Sequence, residues 1–151
     1  MKIEKLCAFF VCAVMLVTLL PVPTEASEAV TYVSTVAELK TALENNAGAH
    51  VKLTKDIIFT TANAADEDAG VWLGEGYYTI DLNDHKIEYN YTGRNGDPSG
   101  SPLATSCTKG LTINGPGNII GGRYGVDQGY QFGILTVNGG TLKGVIDSGI
   151  R

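Results

Sequence analysis

Aromatic side chains are concentrated between residues 72 and 91. Trp72 is the single tryptophan, Tyr77, Tyr78, Tyr89 and Tyr91 follow it, and Tyr124 and Tyr130 lie further on. Aromatic rings offer flat apolar faces on which the C–H faces of sugars stack, and they are enriched at binding surfaces. Trp72, Tyr77, Tyr78, Tyr124 and Tyr130 are therefore the candidate ligand-binding side chains. The competing use is packing, because Ile87, Tyr89 and Tyr91 alternate along one strand and that whole face can be core. Carboxylates could supply a second chemistry. Asp66-Glu67-Asp68 are three successive acids of the oxygen-ligand type that Ca²⁺ takes. Neighbouring residues rarely all turn to one ion, and no EF-hand spacing is present, so no cofactor is expected. Asp127 with Arg123, and Asp147 with Arg151, could place a carboxylate beside a guanidinium around an acidic sugar, but the reading favoured for both is surface ion pairing. His50 and His85 are the only imidazoles and have no second metal-ligating residue at a useful spacing, so no metal site is expected. No catalytic set emerges.

A repeat supplies the framework that carries these groups. Leu111-Thr112-Ile113-Asn114-Gly115 returns as Leu135-Thr136-Val137-Asn138-Gly139, an offset of 135 − 111 = 24 residues. Self-similarity at this period marks a stacked solenoid. Each copy has a short alternating strand, an Asn-Gly corner and a second short strand. A hairpin also begins with Asn-Gly, but a hairpin pairs a strand with its sequence neighbour, whereas a solenoid pairs it with its copy one coil away. Glycine supplies the positive φ of a sharp corner, and asparagine can bond both the local backbone and the asparagine one coil up. Ile80-Asp81-Leu82-Asn83-Asp84 reads as a third copy, and its spacing of 31 to Leu111 leaves about seven extra residues, assigned to an ejected loop in the Gly/Ser/Pro-rich run Thr92 to Ser106. Asn83, Asn114 and Asn138 are then expected in one column, about 4.8 Å apart.

Upstream, Val30 to Val33 reads as a strand and Thr35-Val36-Ala37-Glu38 as a capping box, with Val36, Leu39 and Leu43 on one helical face. A helix laid over the first coil would cover its unpaired strand amides and open core. The segment Ala37-Glu38-Leu39-Lys40-Thr41-Ala42-Leu43 followed by Val51-Lys52-Leu53-Thr54-Lys55-Asp56-Ile57 is similar to the opening of many β-helix proteins. With the LTxNG repeats, it makes the chain resemble the pectate-lyase-like, or pectin-lyase-like, superfamily. The resemblance implies an all-β, right-handed parallel β-helix with an N-terminal amphipathic capping helix. The superfamily holds lyases, polygalacturonases, phage tailspikes and surface adhesins, and the fold alone does not choose among them. Clustered acids with an Arg base, a Gly-His-Gly and an Arg-Ile-Lys motif mark its enzymes, and none is present here.

Residues 1–26 read as a secretory signal peptide, with a basic start, a charge-free run from Leu6 to Leu20 and Thr24-Glu25-Ala26 before cleavage; a retained membrane anchor is the other reading. Residues 27–151 then form the cap and first coils. Cys7 and Cys12 leave with the signal, and Cys107 is expected as a small buried residue rather than a reactive or intermolecular thiol. The formal net charge of −5 disfavours nucleic acid or an anionic membrane as partner. Gly144 to Arg151 reads as an ongoing coil, so the stack is expected to be incomplete at its C-terminal end: a fragment, or an edge open to self-association or a partner. The expectation is a secreted or cell-surface module that binds polysaccharide or another surface without catalysis of its own. The alternative is the N-terminal part of a polysaccharide lyase or glycoside hydrolase.

Overall fold

The computed structural model describes residues 29–60, 62–63, 69–90, 100–129, 131–145 and 149–150. The signal segment, Asp66-Glu67-Asp68, Tyr91, Tyr130, Asp147 and Arg151 lie outside them. Three parallel sheets run along the molecule. Sheet I is β1 (Val30–Val33), β2 (His50–Leu53), β5 (Tyr77–Asp81), β8 (Gly110–Asn114) and β11 (Ile134–Asn138). Sheet II is β3 (Ile57–Thr60), β6 (Lys86–Asn90), β9 (Asn118–Gly121) and β12 (Thr141–Gly144). Sheet III is β4 (Ala69–Leu73), β7 (Ser101–Thr105) and β10 (Val126–Gln128). The chain visits I, II and III in turn, and each strand pairs with the one a coil away: the fold is a parallel β-helix.

Alternation along each strand sends every second residue inward, and register stacks those residues into columns. Ile57, Ile87 and Ile119 form one such column, with Leu142 above them. Val51, Ile80 and Ile113 form another, and all six of these Ile and Val side chains are buried. Each such side chain contributes about 1.5–3 kcal/mol of burial. Leu111 lies directly beside Leu135 in parallel register, as the 24-residue recurrence requires. In the last coil the inward columns are less covered, and Val137 is 41% exposed.

Helix α1 (Val36–Glu44) begins with the capping box read from the sequence: Glu38 N–H donates to Thr35 Oγ1, and the Glu38 carboxylate accepts from Thr35 N–H. Bonds donated by the Ser34 amide and hydroxyl, with smaller contributions from Thr35, hold the Glu38 carboxyl below its usual range. Leu39 and Leu43 are fully buried against the first coil, where the helix packs chiefly on β4. Glu44 accepts from the Trp72 amide at 3.3 Å, so the helix satisfies a backbone donor on the outer edge of sheet III.

Three expectations need correction. Ser101–Thr105 is not part of an ejected loop: it is β7, the central strand of sheet III, buried throughout. Proline and serine argue locally against a central strand, but the register omits Gly70–Pro102, the step where proline has no N–H to give. Second, the coil below β8 aligns Tyr78 with Leu111 and Asp81 with Asn114, so Asn83 is not in the asparagine column. Asn83 sits instead at the corner with φ 52° and donates to the Leu53 carbonyl. The misreading is a slip of two residues, which leaves every inward position inward and so escapes the hydrophobic pattern. Third, Cys107 is exposed at a corner with φ 58°, its thiol 3.4 Å from Gln131 Oε1.

Candidate binding faces

Outward-facing residues are stacked by the same register. On sheet III, Trp72, Ala104 and Asp127 occupy aligned positions on β4, β7 and β10. Trp72 is 49% exposed while Ala104 is buried. The small residue between two larger ones makes the floor of a groove of about 460 Å³, walled by Trp72 and Asp127 and closed at the strand ends by Ser106, Gln128 and Gly129. The Thr105 hydroxyl donates to the Asp127 carbonyl and ties the floor to the far wall. Trp72 and Asp127 are two strand spacings apart, about 10 Å. That span admits a sugar ring, with an aromatic face on one side and hydrogen-bonding groups on the other.

Sheet I carries two polar columns. Thr79, Thr112 and Thr136 form one. Asp81, Asn114 and Asn138 form the other, and its side chains bond along the stack: Asn138 Nδ2 donates to Asn114 Oδ1 at 2.9 Å, and Asn114 Nδ2 donates to Asp81 Oδ1 at 2.7 Å. His50 Nε2 lies 2.9 Å from the second Asp81 oxygen. Partial burial alone would raise the Asp81 carboxyl, but hydrogen bonds from Asn114 and His50, with the charge of Lys52 nearby, lower it below its ordinary value of 3.8. A depressed carboxyl stabilises the fold above the unfolded value and loses that contribution as pH falls from there through the folded one. The urea midpoint difference between the native chain and Asp81→Asn should therefore be full at pH 5 and shrink below pH ~3.8, towards its lower folded-state value. The recurring Thr-x-Asx of Thr79-Ile80-Asp81, Thr112-Ile113-Asn114 and Thr136-Val137-Asn138 was the signal that could have placed this coil correctly.

The candidate aromatics divide. Trp72 and Tyr77 are on the surface, the latter 68% exposed. Tyr78 is corrected to core: alternation turns it inward beside Ile80, and burial pushes its phenol up against a smaller opposing effect of its hydrogen bond with the Gly74 backbone. Tyr89 is also buried, packed on Phe59. Tyr124 is half-buried on the exit from β9, with the Arg123 guanidinium 5.9 Å from its ring centre. Tyr130 lies outside the described residues. Among the described residues no three His, Cys, Asp or Glu side chains gather as metal ligands, and no helix there is long and apolar enough to cross a membrane.

No curated protein and no solved structure matches the chain. A family model for a pectate lyase-like adhesive domain matches residues 30–141, from β1 to the start of β12 and well over half of the sequence. With its coils, capping helix and stacked outer faces in place, the chain belongs to the pectate lyase-like adhesive domain family.

Proposed function

We propose that this adhesive surface module holds polysaccharide in the groove of sheet III and performs no chemistry on it. The observation that carries the reading is the half-exposed Trp72 facing Asp127 across the buried Ala104 floor. An indole left half in water is the natural platform for a sugar ring, and Asp127, Gln128 and Ser106 supply donors and acceptors for its hydroxyls. The absence of catalysis rests on the lining: Asp127 is the only carboxylate among the described residues of the groove, whereas glycoside hydrolysis takes two. Export to the cell surface or beyond rests on the signal-like residues 1–26 and on the adhesive family.

Affinity electrophoresis in gels holding soluble polysaccharides tests the binding. Trp72→Ala should weaken retention on a bound polysaccharide about tenfold, the weight of one stacked ring, with an unchanged melting curve. A native chain retained by none of the polysaccharides would end this reading. Accumulation of unsaturated uronate from polygalacturonate, followed by ultraviolet absorbance, would replace it with the lyase alternative.

A further inference from the structure

We propose that the outer face of sheet I is a second sugar-binding face, selective for uncharged polysaccharide, around the corner from the groove of sheet III. The inference rests on the glycan-binding reading above. Tyr77, Gly110 and Ile134 are aligned across β5, β8 and β11. Tyr77 and Ile134 are 68% and 71% exposed, and the glycine between them leaves a slot of about 270 Å³. A Cβ at position 110 would lie 2.8 Å from the Tyr77 ring and would have to displace it. The slot thus has a tyrosine face at one wall, a branched aliphatic at the other, and a backbone floor.

Beside it runs the threonine column, Thr79, Thr112 and Thr136, which lines the same slot. Among the described residues none of the three hydroxyls has a hydrogen-bond partner in the protein. Threonine is stiff at χ1, so the hydroxyls are preset, one per coil at about 4.8 Å. The neighbouring Asx column is held by its own ladder and does not compete for them. An ordered row of free hydroxyls beside an exposed aromatic ring suits a ligand that is itself a row of hydroxyls on apolar rings.

Charge selects the class. Every slot-lining residue is uncharged. At the near end Lys109 and Glu75 neutralise each other at 2.7 Å. At the far side Asp81 is engaged by His50 and Asn114. Lys52 on β2, in line with Asp81, stands outside the slot lining, so within the slot an acidic sugar meets no cation and an uncharged one loses nothing. The groove of sheet III, with the Asp127 carboxylate in its wall, is separated from this slot by the corner residues 74–76 and 106–109.

The test uses the full chain and affinity electrophoresis with a β-glucan, a galactomannan and polygalacturonate as probes. Trp72→Ala should remain retained by at least one uncharged probe. Adding Tyr77→Ala should weaken that residual retention about tenfold, and adding Thr112→Val about threefold, with melting curves unchanged. Residual retention that ignores both changes, or is as strong on polygalacturonate, overturns the proposal. So does complete loss of binding in Trp72→Ala alone, which leaves the sheet III site standing. A native chain bound by no probe removes both sites together.

Discussion

Phe59→Ala should destabilise the chain by about 3–5 kcal/mol, read as a lower urea midpoint at an unchanged slope. Phe59 is fully buried at the end of β3, with its ring centre 5.8 Å from that of Tyr89 one coil on. Gly70 on β4 makes room for it, since a Cβ there would lie 2.8 Å from the ring's Cζ. Phe59 therefore bridges sheets II and III in the coil over which α1 is laid. Truncation removes the transfer free energy of the ring and leaves a cavity. Its walls include β3 and β4, each paired to the next coil on one side and covered by α1 on the other, so they collapse only partly to fill it. The expected loss is a large share of the roughly 5–15 kcal/mol that holds a domain folded. Phe59→Leu should recover more than half of it. A loss below about 1 kcal/mol for the alanine variant would show that the space closes, and would contradict a register-locked core.

What the residues disclose before any coordinates depends on how much of the signal is local. The stacking of Leu111 on Leu135 was legible because two coils of equal length repeat nearly identical residues. The capping box was legible because its bonds span only three residues. Sheet III was not, because β7 and β10 draw on Pro, Ser, Ala, Asp and Gln, whose strand state is imposed by flanking strands rather than by propensity. The groove was half legible: Trp72 announced itself, but Ala104 and Asp127 acquire meaning only when register sets them in line with it. Cys107 went wrong for a related reason. A small apolar residue is usually buried, but a corner with positive φ turns it to solvent. Asn83 for Asp81 was a slip of two, which the alternation of inward and outward residues does not penalise.

The corners between sheets I and II set the second large effect. Gly117→Ala should cost about 2–4 kcal/mol, from backbone strain and overpacking together. Gly117 has φ +145°, where L side chains are disfavoured. A Cβ there would lie 2.6 Å from the Cβ of Leu82, which is fully buried one coil below, and in collision with the His85 carbonyl oxygen. Neither neighbour can yield cheaply. The His85 carbonyl accepts from the Asn118 amide, Asp84 N–H donates to the Pro116 carbonyl, and Leu82 N–H donates to the Asn114 carbonyl, so the two corners are bonded on either side of the contact. The coil above adds to the confinement, because Thr141 N–H donates to the Gly117 carbonyl. Gly48→Ala is the matched control: it lies in an exposed turn with no atom within 4 Å of a new Cβ, and its midpoint should shift by no more than about 0.5 kcal/mol. Since β8 leads into this corner and β9 leaves it, the displacement should also reach Asn114 and the ladder beside the threonine column. If Gly117→Ala proves as stable as Gly48→Ala, the corners open without cost and their coil-on-coil packing is not what fixes the stack.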